Sequence, residues 1–123
     1  MFEVSVKDRF SAAHQLIEVG GGCERLHGHN FNVEVFVRSE TLTDEGTVID
    51  FRDLKKALAD VLDTLDHTFL NDLEAFEDTG PSSERLARFI YLELSDRLLK
   101  KNLPGPCRVD VWESENSRAS YME

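Results

Sequence analysis

The stretch Phe2-Glu3-Val4-Ser5-Val6-Lys7 (FEVSVK) alternates strictly, with apolar side chains at its even positions and polar ones at its odd positions. Successive side chains of a β-strand point to opposite faces, so this alternation predicts a strand with one buried face. The even parity resumes at Phe10, Ala12 and His14, near the predicted end of the strand.

A second strand and two helices are predicted further along the chain. The second strand places four apolar side chains on one face, Phe31, Val33, Val35 and Val37. Asp50 then precedes an apolar repeat at helical spacing and is expected to cap that helix, with the Asp53 carboxylate favouring its first turn. The next helix is expected after Gly80-Pro81, with Ser82 or Ser83 as its cap.

Strands return at the end of the chain. Residues 107–113 alternate again, and a short further strand is predicted near residues 118–122. The order β-β-α-α-β-β predicts an α+β fold, in which two helices cover one face of a four-stranded antiparallel sheet. With 123 residues, of which 41% are hydrophobic, we expect one domain over residues 1–123. Its open sheet edges invite pairing with other subunits.

The composition argues against several classes of function. The formal net charge of -10 disfavours nucleic-acid binding, which depends on lysine and arginine, but is compatible with a phosphorylated small molecule. The only cysteines are Cys23 and Cys107, so no disulfide framework is expected, and Cys107 is interpreted as a buried, inert thiol. The first ten residues are charged and no segment is long enough to span a membrane, so we expect a cytoplasmic protein without a membrane partner.

The segment Cys23-Glu24-Arg25-Leu26-His27-Gly28-His29 concentrates residues that can bind a metal. In an extended chain His27 and His29 leave the same face, with Cα atoms roughly 6 to 7 Å apart. His14 lies near the end of the strand expected to pair with this one. Three neutral imidazoles suit Zn²⁺ and leave one coordination position open, as in catalytic zinc sites. A packed, hydrogen-bonded histidine is the alternative for each position.

Three further residues are candidates for chemistry. Cys23 is either a fourth ligand, which would make a closed structural zinc site, or a thiolate base or nucleophile beside the metal. The adjacent Asp66 and His67 either relay protons or end a helix in favourable contact with its dipole. Glu113 shares parity with Val109 and Val111, so it is expected to point inward, where its two oxygens would fit the paired N–H donors of a pterin or guanine edge. Exposure at the strand end is the alternative.

Taken together, several short motifs resemble the 6-pyruvoyltetrahydropterin synthase superfamily, and within it the bacterial 6-carboxytetrahydropterin synthase branch. The spacing of three residues between the cysteine and the first histidine is the one expected of this branch. The matching stretches cover nearly the whole chain: Phe10-Ser11-Ala12-Ala13-His14, Cys23-x-x-x-His27-Gly28-His29, Val48-Ile49-Asp50-Phe51, Leu65-Asp66-His67-x-x-Leu70-Asn71, Pro81-Ser82-Ser83-Glu84 and Trp112-Glu113-Ser114.

The resemblance implies the tunnelling fold, in which the sheets of several subunits join into a barrel, usually as a hexamer of two stacked trimers. Its active sites lie between subunits, so the resemblance allows His67 to act in the pocket of a neighbouring subunit. The implied substrate is dihydroneopterin triphosphate, and the implied products are 6-carboxytetrahydropterin, acetaldehyde and triphosphate, on the route to queuosine. A synthase that retains the side chain as a pyruvoyl group, and a non-catalytic zinc module, are the alternatives.

The resemblance also assigns roles to individual residues. The zinc ligands would be His14, His27 and His29. Cys23 would accept a proton, Asp66 and His67 would form the proton relay, and Glu113 would anchor the pterin ring. Two positions depart from the usual pattern of the family: Ser82 stands where threonine is frequent, and Arg85 stands where asparagine is frequent. These departures leave the metal and proton groups in place.

Overall fold

Two long strands form the centre of the sheet. In the computed structural model, which describes residues 1–16 and 25–123, β1 spans Phe2–His14 and β2 spans His27–Ser39. They pair antiparallel over their full length, from Phe2 opposite Ser39 to His14 opposite His27. Because the pairing has no register shift, the alternating apolar residues of both strands fall on the same face.

Three shorter strands complete a five-stranded sheet of order β3-β1-β2-β4-β5. They are β3 (Thr68–Phe69), β4 (Arg108–Ser114) and β5 (Ser117–Met122). The four predicted antiparallel strands and the α+β class are confirmed. The difference from the prediction is β3, which pairs parallel with β1 beside Ala12 and Ala13. A strand of two residues has no alternation, so the sequence did not reveal it.

The helices α1 (Phe51–Asp63) and α2 (Ser83–Lys100) begin where the sequence predicts. The Asp50 carboxylate accepts a hydrogen bond from the Arg52 amide at 2.8 Å, and the Ser82 hydroxyl accepts one from the Arg85 amide at 3.2 Å. Each cap satisfies one of the amides that have no partner within the helix. Among residues 1–16 and 25–123, no helix is long and apolar enough to cross a membrane.

The helices cover the face of the sheet that carries the apolar residues. Its fully buried side chains include Phe10, Phe31, Leu54, Leu58, Leu86, Ile90 and Leu94. Phe10 and Phe31 are cross-strand neighbours whose ring centres lie 5.0 Å apart. This core ends at His14 and His27, the last cross-strand pair of β1 and β2, and so supports the candidate site described below.

The opposite face of the sheet is polar and carries a network of ion pairs centred on Asp110. The Asp110 carboxylate, almost fully buried, accepts two hydrogen bonds of 2.7 Å from Arg108 and one of 2.6 Å from the Ser120 hydroxyl. The Arg108 guanidinium also lies 4.5 Å from the ring centre of Phe36. Phe36 is an aromatic residue on the otherwise polar face of β2, and its contact with Arg108 accounts for its presence there.

Cys107 precedes β4 and is half-buried. Its thiol donates to the Phe36 carbonyl at 3.4 Å, and burial raises the pKa of the thiol above its usual value. A raised pKa keeps the sulfur in its unreactive thiol form. These properties support the interpretation of Cys107 as inert.

Candidate metal centre

Three imidazoles converge at the end of the β1–β2 ladder. His14 faces His27 directly across the ladder, and His29 stands opposite Ala12 on the same face of the sheet. The Nε2 atoms of His14 and His27 lie 2.9 Å apart, and the ring centres of all three histidines lie within 5.1 Å of one another. We call His14, His27 and His29 the histidine cluster. The sequence predicted this convergence.

Backbone carbonyls orient two of these rings. His14 is fully buried, and its Nδ1 lies 3.0 Å from the Pro81 carbonyl oxygen. The Nδ1 of His27 lies 2.7 Å from the Arg25 carbonyl oxygen. Because a carbonyl only accepts, each Nδ1 is the protonated nitrogen and donates, which leaves Nε2 directed at the cluster. Neutral histidines in this tautomer present lone pairs to a metal ion.

Glu113 extends the cluster with a carboxylate. Its Oε1 lies 2.8 Å from Nε2 of His29, 3.6 Å from that of His14 and 3.8 Å from that of His27. Its Oε2 is 3.4 Å from the Ser83 hydroxyl at the start of α2. The inward direction expected from the parity of β4 is therefore observed. This position allows contact with a metal ion or with a ligand beside it.

The donor set fits Zn²⁺. One ligand atom from each member of the histidine cluster and one from Glu113 all lie within 4.8 Å of one another. Two unprotonated Nε2 atoms 2.9 Å apart repel each other unless a cation or a proton lies between them. Imidazole nitrogens are preferred zinc ligands, and an added carboxylate is compatible with the same ion.

Asp66 and His67 form a hydrogen-bonded dyad beside β1. Asp66 Oδ2 lies 2.8 Å from His67 Nδ1, and Asp66 Oδ1 accepts the Ser11 amide at 2.8 Å. The Ser11 amide, assisted by His67, holds the pKa of Asp66 below its usual value against the opposing effect of burial. The His67 amide donates to the Ser11 carbonyl at 2.6 Å, which fixes the dyad to β1 at two points.

The His67 imidazole is 82% exposed, so it is available to a ligand. It lines an open hollow of about 540 Å³, together with Gly28, His29 and Thr68, which we call the His67 hollow. His67 has φ of 56°, a left-handed conformation that is uncommon outside glycine. The hollow is also lined by Ser11, Ala13 and Asn30, which with Gly28 lie on the face of the sheet opposite the histidine cluster. An exposed imidazole bonded to a carboxylate can exchange protons with a ligand bound there.

The structure brings His14, His27, His29 and Glu113 together, and it pairs Asp66 with His67. Cys23 lies outside the described residues, so its role stays a prediction. Arg85, whose guanidinium donates to the Gly80 carbonyl at 3.5 Å, lines a separate hollow with Gln15 and Asn71. Sequence reasoning missed the Pro81 carbonyl as the partner of His14, because a backbone acceptor leaves no signal in residue type.

Comparison with known proteins agrees with this geometry. The family model for 6-pyruvoyl tetrahydropterin synthase matches residues 3–123. The chain is 39% identical to 6-carboxy-5,6,7,8-tetrahydropterin synthase of Synechocystis sp., over 92% of this chain and 87% of that one. It is 40% identical to dihydroneopterin monophosphate aldolase of Pyrococcus furiosus, over 85% and 82%. The solved 6-pyruvoyl tetrahydropterin synthase of Caenorhabditis elegans superposes with a TM-score of 0.84 at 28% identity, covering 99% of this chain and 95% of that one.

Proposed function

Because the chain belongs to the 6-pyruvoyl tetrahydropterin synthase family of enzymes, we propose that it is a carbon–carbon lyase that makes 6-carboxytetrahydropterin. The observation that carries this proposal is the histidine cluster, whose ligand atoms lie within 4.8 Å of one another and of the Glu113 carboxylate. The substrate would be dihydroneopterin triphosphate. The name of the Synechocystis relative supports the carboxylated product.

The proposed reaction balances without an external oxidant or reductant. One water is consumed and the bond between carbon and the triphosphate oxygen breaks. The bond between the first and second side-chain carbons also breaks. The first carbon becomes the carboxylate, the other two leave as acetaldehyde, and the reduced ring takes up two hydrogens. Each step requires protons to move next to the side-chain oxygens, which is the work of general acids and bases.

We assign zinc binding to His14, His27 and His29. Bound zinc would supply positive charge that stabilises negative charge developing on substrate oxygens. The carbonyls of Pro81 and Arg25 support this role because they hold Nδ1–H of His14 and His27 and so direct Nε2 towards the centre of the cluster.

The proton-transfer roles rest on the remaining candidates. Asp66 accepts from Nδ1 of His67, so Nε2 of His67 is the atom that would exchange protons, in the pocket of a neighbouring subunit if the active sites lie between subunits. Cys23 would be the proton acceptor, a role that rests on the family resemblance. Glu113 would hold the pterin ring through paired N–H donors, and the proximity of its Oε1 to the histidine cluster would place the ring beside the metal.

Product analysis tests the proposal directly. The purified protein should release acetaldehyde and triphosphate from dihydroneopterin triphosphate in equal amounts. A pyruvoyl product without acetaldehyde would instead favour the triphosphate-eliminating synthases. Cleavage of dihydroneopterin monophosphate, with no turnover of the triphosphate, would favour the activity named for the Pyrococcus relative.

Substitution of Cys23 separates catalysis from a structural zinc module. If Cys23 is the proton acceptor, Cys23→Ala should abolish turnover and keep one zinc per chain. If it is instead a fourth ligand of a closed site, the variant should lose both zinc and stability. Zinc content by elemental analysis and turnover of the same preparation decide between them.

We also propose that the sheets of several chains join into a barrel, as a hexamer of two trimers. The observation in favour is that, among residues 1–16 and 25–123, β3 covers the outer edge of β1 only at Ala12 and Ala13, while β5 is the other terminal strand of the sheet. Exposed edges of this length favour pairing between chains. Analytical ultracentrifugation should give six times the chain mass.

The place in queuosine biosynthesis, the cytoplasmic location and the single domain over residues 1–123 stay predictions.

A further inference from the structure

Asn30 faces Ser11 across the β1–β2 ladder, on the side of the sheet away from the histidine cluster. Its Oδ1 accepts a hydrogen bond of 2.5 Å from the Ser11 hydroxyl. Because the side-chain amide is planar, a bond that holds Oδ1 also restricts the position of Nδ2. Asn30 is exposed and borders the His67 hollow.

Ser11 connects Asn30 with the Asp66–His67 dyad. The Ser11 amide donates to Asp66 Oδ1 at 2.8 Å, and the Ser11 carbonyl accepts from the His67 amide at 2.6 Å. The amide, the carbonyl and the hydroxyl of Ser11 are therefore all engaged, two of them with the dyad and one with Asn30. The Asn30 amide is thus placed relative to the dyad through the bonds of a single residue.

Two polar side-chain groups that border the His67 hollow are available to a ligand. The hydroxyl protons of Ser11 and Thr68 are committed, since Thr68 donates to the Leu65 carbonyl at 2.6 Å. In contrast, Nδ2 of Asn30 and Nε2 of His67 bond to no residue in the ranges 1–16 and 25–123. The hollow therefore combines a held N–H donor with an imidazole nitrogen that can exchange a proton.

We propose that Asn30 is a ligand-binding residue of the His67 hollow, which donates from Nδ2 to an oxygen atom of the ligand on which His67 acts. The inference rests on the proposed function, in which the ligand is a pterin whose side chain carries hydroxyl and phosphate oxygens. An amide donor fits such oxygens, and unlike an imidazole it keeps its protons throughout the neutral pH range. Because the hollow faces away from the histidine cluster of this chain, the metal beside that ligand would belong to a neighbouring subunit.

Asn30→Asp separates ligand binding from a purely structural role. Aspartate keeps an oxygen that can accept from the Ser11 hydroxyl, but it replaces the Nδ2 donor with a second acceptor and adds a negative charge. Asn30→Ala removes both groups. If Nδ2 binds the ligand, both variants should lower kcat/KM for dihydroneopterin triphosphate on the order of tenfold, and aspartate should be at least as damaging because its charge repels the phosphates. A structural role alone predicts that Asn30→Asp keeps the activity that Asn30→Ala loses.

Asn32→Asp is the matched control. Asn32 lies two residues further along β2, on the same face of the sheet and opposite Arg9, and it is also exposed. It borders a different hollow, together with Lys7 and Trp112. The control carries the same change of charge on the same strand, so it should keep kcat/KM within twofold of the unsubstituted protein. Turnover of every variant is expressed per bound zinc.

Ligand binding provides a readout that does not depend on turnover. His67→Ala removes the imidazole that would exchange protons, so this variant should bind dihydroneopterin triphosphate without consuming it. Equilibrium dialysis should give a Kd about tenfold higher when Asn30→Asp is added to His67→Ala. If the protein with aspartate fails to fold, Asn30→Ala in the same background provides the measurement.

Two results would overturn the inference. One is an Asn30→Asp variant whose kcat/KM and Kd lie within twofold of those of its parent protein. The other is an unsubstituted protein that neither binds nor converts the pterin, which would refute the proposed function as well. In contrast, a protein that does not convert the pterin, but binds it more weakly once Asn30→Asp is introduced, would refute the proposed function alone and leave the role of Asn30 intact.

Discussion

The buried carboxylate of Asp110 gives the sharpest stability prediction. Asp110→Asn keeps the shape of the side chain but removes the charge that faces Arg108. Breaking a buried ion pair by neutralising one partner destabilises a protein by about 3 to 5 kcal/mol. The Arg108 side chain is 31% exposed, so water can partly solvate it once the partner is lost. We therefore expect a loss at the lower end, about 3 kcal/mol at neutral pH.

Asp96→Asn is the control with the same chemistry in a different environment. Asp96 pairs with Lys100 at 2.8 Å on α2, a distance close to that of the Asp110 pair, but its side chain is 59% exposed. Exposed pairs of this kind contribute about 0.3 to 0.5 kcal/mol. Urea unfolding followed by circular dichroism, in one metal state throughout, measures both variants. Equal losses for the two variants would refute the argument that burial decides the strength of the Asp110 pair.

The pH dependence provides a second check on the same residue. Burial alone would raise the pKa of Asp110, but hydrogen bonds from Arg108 and Ser120 outweigh it and hold the pKa below its usual value. A lowered folded-state pKa means that the stabilisation is fully present above the unfolded pKa of about 3.9. It is lost as the pH falls through the folded pKa. The difference between Asp110→Asn and the unsubstituted protein should therefore shrink below about pH 4, and a constant difference would contradict this.

Three further predictions concern the candidate site. Glu113→Gln should lower kcat/KM by about 30- to 100-fold, mostly through KM, because charge-assisted hydrogen bonds to the pterin are lost; a loss of zinc instead would make Glu113 a metal ligand. A chelator should lower the melting temperature and added zinc should restore it, whereas His27→Ala should be insensitive to both, as calorimetry can show. Ser82→Ala should destabilise the protein by about 1 kcal/mol in urea through loss of the α2 cap, and an unchanged midpoint would exclude that role.

The spacing of apolar residues along the chain predicted most of the fold and the histidine cluster. The alternation of β1 and β2 predicted the pairing that brings His14 opposite His27. Asp50 marked the start of α1 and the pair Ser82–Ser83 that of α2, where the structure selects Ser82, because a capping side chain acts on amides only two or three residues away. The parity of β4 gave the direction of Glu113, although parity could not give its distance from His29.

The sequence did not reveal the backbone contacts between segments that are distant along the chain. The β3 pairing, the Pro81 carbonyl at His14 and the Asn71 contact with Gln15 all join segments far apart in the chain. Backbone acceptors are identical in every residue, so such contacts leave no mark in residue type. Asn71 stood within a recognised motif, but only the structure connects its amide with the residue after His14.

The left-handed backbone at His67 lowers the stability of the protein at the position where the imidazole is proposed to transfer protons. An L-residue in this conformation costs about 1 to 2 kcal/mol, which glycine avoids. Laboratory evolution for heat resistance alone should therefore enrich His67→Gly, and the resulting proteins would lose the exposed imidazole that pairs with Asp66. Selection for a more heat-stable variant should therefore include a measurement of turnover in every round.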